Sequence, residues 1–82
     1  VNVVVPNDEF EAVVAQWANE LASQAPLAVR SNKRLMRLGL DSTFEANSHH
    51  VMAEIINLFR TADFAEGIQA FLEKRPPSYQ GR

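Results

Sequence analysis

The sequence predicts an all-α chain, a short extended N-terminal stretch followed by about four helices, and three observations predict it. Apolar residues recur at spacings of three and four, the period of one buried helical face. Acid or serine pairs of the form Asp/Ser-x-x-Glu precede three of the apolar runs, where a capping box starts a helix. Prolines at positions 26, 76 and 77 interrupt the pattern where a helix has to stop.

In chain order, Val1, Val3, Val4 and Val5 are β-branched and stop at Pro6, which reads as the end of a strand or an extended connector with no visible pairing partner. We delimit residues 1–6 as this connector from a preceding domain, 7–77 as the helical part and 78–82 as a polar, irregular tail. The chain starts at Val1 rather than at methionine, and upstream residues are expected; processing would explain the same start.

The first helix carries Phe10, Val13, Val14, Trp17, Ala18 and Leu21 on one face, opens on the Asp8/Glu11 box, and ends by Ala25 because Pro26 lacks the N–H the next turn needs. Pro26 suits the first turn of a second helix, which is expected to run to a left-handed cap at Gly39. Ser42 and Glu45 announce a third, with Phe44, Val51, Met52, Ile55, Leu58 and Phe59 inward and an end near Arg60 or Thr61. Asp63 and Glu66 announce a fourth, which holds Phe64, Ile68, Phe71 and Leu72 and closes at Pro76 and Pro77.

Composition bounds the function. With 82 residues and 46% hydrophobic content the chain can build one small core at most. So short a chain leaves much apolar surface uncovered, which points to an oligomer or to a part of something larger. Ten acidic against eight basic residues exclude general nucleic-acid binding driven by phosphate charge. The absence of cysteine excludes disulfides, thiolate zinc sites and thiol nucleophiles. No apolar run approaches the roughly 20 residues of a membrane span, no signal peptide opens the chain, and a cytoplasmic protein is expected.

Few residues offer chemistry. Arg30, Lys33, Arg34 and Arg37 form a basic stripe on the second helix, readable as a contact for phosphate or an acidic partner, or as a solvated face. His49 and His50 have Glu45 and Glu54 at helical spacing, but adjacent residues point about 100° apart. Zinc takes at least three protein ligands, so no metal site is expected and exposed or interface histidines are. No nucleophile elbow, glycine-rich phosphate loop or close carboxylate pair is present, and we assign no catalytic residue.

The closing stretch Asp63-Phe64-Ala65-Glu66-Gly67-Ile68-Gln69-Ala70-Phe71-Leu72-Glu73-Lys74-Arg75-Pro76 resembles the DxxEGxxAFLEKRxP ending of the enoyl-CoA hydratase/isomerase (crotonase) family. Val1-Asn2-Val3-Val4-Val5-Pro6 resembles the family's VNxVVP connector, and Pro26-Leu27-Ala28 with Lys33 its PLAxxxxK helix, all in the family's order. The resemblance implies the family's C-terminal helical domain, following a larger N-terminal spiral of β-β-α turns that holds the acyl-CoA. It implies trimer or hexamer assembly and a roof over the coenzyme A site.

It also implies that the chemistry lies upstream, in oxyanion-hole N–H groups and, in hydratases, two glutamates. Two positions carry over: Phe71, matching the family's aromatic against adenine, and Lys74, matching its lysine against phosphate, often reaching a neighbouring subunit's site. The alternative places Phe71 in the core and leaves Lys74 exposed.

The expected function is thus the assembly and site-closing part of a lyase or isomerase of acyl-CoA (fatty acid) metabolism, with no cofactor beyond the coenzyme A thioester. A free-standing helical protein-interaction module without enzymatic activity is the alternative. The resemblance leaves the reaction open among hydration, isomerisation, dehalogenation, decarboxylation and thioester hydrolysis, because a fold does not fix a function.

Overall fold

Prolines and side-chain caps divide the chain into four helices, α1 (Phe10–Ala22), α2 (Pro26–Leu40), α3 (Phe44–Leu58) and α4 (Ala62–Glu73). The computed structural model describes residues 1–82. Residues 1–6 form no strand, since no second extended segment offers a ladder to join. Val3, Val4 and Val5 instead lie against Phe10, Val13, Val14 and Trp17 of α1, around a hollow of about 350 Å³.

The helices stand close to where the periodicity puts them, while the caps are redistributed. Asp8 does not cap α1: the chain enters through a turn closed by Glu9 N–H donating to the Pro6 carbonyl at 3.0 Å, and no side chain caps the start. Pro26 takes the first turn of α2, where its missing N–H costs nothing. Gly39 is not the left-handed cap; α2 continues through it to Leu40. Its lack of a side chain serves packing, because a Cβ there would meet Asn47 Nδ2 of α3 at 3.0 Å.

Ser42, expected to start α3, donates instead to the Leu38 carbonyl at 2.7 Å and so finishes α2. The neighbouring Thr43 caps α3, its Oγ1 accepting from Ala46 N–H at 3.2 Å. The third box is also displaced. Thr61 Oγ1 accepts from Phe64 N–H at 3.1 Å and donates to the Leu58 carbonyl at 2.7 Å, linking the end of α3 to the start of α4. Asp63 and Glu66 are thereby freed for other partners.

α2 and α3 form an antiparallel helical hairpin, the main packing of the molecule. Glu54 of α3 fastens it, pairing with Arg34 and accepting from Ser31 Oγ at 2.7 Å. Phe59 and Phe64 meet across the α3–α4 corner with ring centroids 4.7 Å apart, within the range of favourable tilted aromatic pairs.

These contacts do not close a core. Only Ala70 and Asp63 are buried, and large apolar side chains on all four helices, Trp17, Met36, Phe44 and Leu72 among them, stay exposed. The radius of gyration is 16.2 Å, where a compact chain of this length has about 12 Å. The accessible surface is 6996 Å², against about 4,900 Å² for a compact protein of this mass. The molecule is a slab of 45 × 39 × 18 Å.

Candidate functional site

The densest polar organisation lies around α4 and the residues that follow it. After Glu73 the chain reverses in a Schellman turn: Lys74 adopts the left-handed conformation (φ 54°, ψ 40°), its N–H donating to the Phe71 carbonyl, and Arg75 N–H donates to the Ala70 carbonyl at 3.0 Å. The reversal returns residues 78–82 along α4 toward its own N-terminus, where the Asp63 N–H donates to the Arg82 carbonyl at 3.0 Å. The tail read from sequence as irregular is therefore a strap.

Two carboxylates one turn apart hold the strap. Asp63, 3% exposed, accepts from Gln80 N–H at 2.6 Å and Gly81 N–H at 2.8 Å, one bond to each oxygen. Glu66 accepts from Ser78 N–H at 2.8 Å. It also takes a two-pronged contact from the Arg75 guanidinium, at 2.6 and 3.0 Å. Those donors, Arg75 first and the Ser78 amide second, hold the Glu66 carboxyl down to about 2.

Arg75 Nε donates to Glu73 at 2.6 Å, and Gln69 donates to the other Glu73 oxygen at 2.5 Å. Gln69 first and Arg75 second also hold Glu73 below the usual carboxylate range. Both carboxylates in turn raise Arg75 above an ordinary guanidinium, Glu66 the more strongly.

The same strap accounts for two more letters of the closing motif. A Cβ on Gly67 would stand 3.3 Å from Tyr79 Oη, so the phenol ring lies on helix backbone that only glycine exposes. Ala70, 2% exposed, supplies the carbonyl that Arg75 N–H caps. Tyr79 then floors an apolar groove of about 350 Å³ walled by Leu27, Ala28, Ile55, Leu58 and Ile68.

Both residues carried over from the resemblance stand at the reversal. Phe71 is 81% exposed, so in this chain it is not a core residue, and Lys74 is exposed one turn later. The basic stripe divides: Arg34 is taken up by Glu54, while Arg30, Lys33 and Arg37 are exposed on α2. His49 and His50 are exposed on α3, and the Glu54 carboxylate that spacing offered to His50 is engaged by Ser31 and Arg34.

The strap residues Asp63, Glu66, Arg75 and Ser78 are what sequence reasoning missed. An acid pair three apart has the same spacing whether it caps a helix or binds a returning chain. The available signal was the glycine right after the second acid, together with Tyr79 and Gly81 downstream.

Against known proteins, the family model described as enoyl-CoA hydratase/isomerase matches residues 1–82. The chain is 33% identical over its whole length to 2,3-dehydroadipyl-CoA hydratase of Escherichia coli (strain K12), covering 32% of that protein. It is 37% identical over 78 residues, 95% of its length, to a probable enoyl-CoA hydratase of Rhodobacter capsulatus, covering 30% of it. The crystal structure of an enoyl-CoA hydratase from Bacillus anthracis superposes on the entire chain with a TM-score of 0.95 at 33% identity, over 32% of its own length. The chain thus spans about a third of the length of the relatives it matches.

Proposed function

Because this chain belongs to the enoyl-CoA hydratase/isomerase family, we propose that it is the C-terminal helical part of an enzyme acting on acyl-CoA thioesters. Its own contribution is subunit assembly and closure over the nucleotide end of coenzyme A, with the reacting groups supplied by the rest of the protein. The observation that carries this reading is the uncovered surface. Roughly 2,000 Å² beyond that of a compact chain is more than one partner gives up in a standard interface, about 800 Å². Surface of that extent belongs against a second body.

The coenzyme A contact is read at the end of α4. Phe71 offers an exposed ring to a flat heteroaromatic base, and Lys74, three residues on, offers an ammonium to a phosphate. Both lie on a reversal fixed by hydrogen bonds, so little ordering cost is incurred on binding.

Two measurements test the reading. The intact mass of the native protein in its source cell should correspond to roughly 170 further residues, the usual size for a chain with its own catalytic domain. That protein should bind coenzyme A more tightly than pantetheine, which lacks the nucleotide. A native mass equal to this chain alone, together with a monomeric and cooperatively folding protein, favours the free-standing interaction module instead.

A further inference from the structure

Lys74 occupies a conformation that helix-ending chemistry normally gives to glycine or asparagine. For a residue with a Cβ the left-handed well is strained, and it persists only where the surroundings over-determine it. The surroundings here are specific. Arg75, the next residue, reaches back to both oxygens of Glu66, and the same carboxylate takes the Ser78 amide. Glu73, the preceding residue, is bonded by Arg75 Nε and by Gln69. Both neighbours of Lys74 are therefore fixed through their side chains, while the Lys74 side chain makes no hydrogen bond or ion pair.

Arg75 has a second effect on the same group. Glu73 is the carboxylate closest in sequence to Lys74 and the natural competitor for its ammonium. With Arg75 on one oxygen and Gln69 on the other, each Glu73 oxygen already has a donor. The cation is left without a partner, three residues after the exposed Phe71.

We propose that Arg75 and Glu66 are positioning residues that hold Lys74 in its left-handed turn and keep its ammonium free, aiming it at a phosphate of coenzyme A. This rests on the assignment of Lys74 as the phosphate contact and adds the residues through which that contact is set. The geometry demands a forked cation at position 75. Lysine has the charge and cannot span the two Glu66 oxygens and Glu73 at once.

The test uses the full-length protein carrying this chain and compares dissociation constants for coenzyme A and for pantetheine, by calorimetry, in wild type, Lys74→Ala, Arg75→Lys and the double variant. Lys74→Ala should weaken coenzyme A about tenfold, a loss typical of a charge-assisted contact, and leave pantetheine unchanged. Arg75→Lys, which conserves charge, should weaken coenzyme A several-fold with pantetheine unchanged, and should add nothing once Lys74 is alanine, because it acts through that residue.

If the two losses add, or pantetheine weakens equally, Arg75 is not positioning Lys74, and the phosphate contact itself stands. If Lys74→Ala leaves coenzyme A binding unchanged, the phosphate contact fails and the positioning role with it. Glu66→Gln guards against an effect peculiar to position 75: it must reproduce the Arg75→Lys pattern, and a wild-type ratio of coenzyme A to pantetheine affinity overturns the proposal.

Discussion

At the scale of single residues, the strap turns on carboxylates whose protonation can be followed. Glu66 is held down to about 2 by Arg75 and Ser78, below its unfolded value of about 4.3. Its ionised form is therefore the one the folded chain favours. The stabilisation is fully present above the unfolded value and is lost as pH falls from there through about 2. The expected outcome is a Glu66 carboxyl that titrates near 2 by carbon NMR, with the Ser78 amide losing exchange protection over the same interval. A titration near 4 would mean that the Arg75 fork is not formed.

Lys74 gives a second prediction at this scale. In the full-length protein Lys74→Glu should raise KM for an acyl-CoA about tenfold or more with kcat nearly unchanged, as expected when a binding contact outside the reacting centre is reversed. The loss should shrink as salt is added, since exposed charges are screened over about 8–10 Å. Equal rises in KM for acyl-CoA and acyl-pantetheine would place Lys74 elsewhere.

At the scale of elements, two substitutions separate helix formation from helix attachment. Gly67→Ala raises intrinsic helix propensity by about 1 kcal/mol, yet its methyl group would meet Tyr79 at 3.3 Å. α4 should keep its helicity while the Gln80 and Gly81 amides, bonded to Asp63, exchange faster. Unchanged exchange at those amides would mean that Tyr79 does not press on the glycine. Glu54→Ala removes both cross-links of the α2–α3 hairpin and should cost about 1 kcal/mol in denaturant unfolding, a modest sum because Arg34 stays solvated.

These elements also mark what a sequence reveals. Helix positions were readable because amphipathic spacing and Pro26 act locally. The capping boxes point to Ser42 and Asp63, one or two residues from the caps at Thr43 and Thr61, because these side chains carry equally good acceptors and spacing does not choose between neighbours. Phe71 and Lys74 were legible only through a family resemblance. The bonds from residues 78–82 back to Asp63 and Glu66 span most of α4 and leave no periodic trace.

At the scale of the whole molecule, an open arrangement of amphipathic helices predicts association. The chain on its own should sediment as oligomers at high concentration, because exposed apolar faces on α1, α3 and α4 exceed what monomers usually tolerate. A strictly monomeric profile would contradict this. Alone it should also hydrate crotonyl-CoA no faster than buffer does.

The slab shape has an electrostatic corollary. At 18 Å the chain is less than two helix diameters thick, each about 10–12 Å, so none of its charges sits far from a high-dielectric medium. Laying a second protein surface on the slab lowers the local dielectric constant without moving an atom, and Coulomb energies scale inversely with it. Within Glu54–Arg34 and Glu66–Arg75 the attraction would then deepen, set against the cost of stripping water from the four charges.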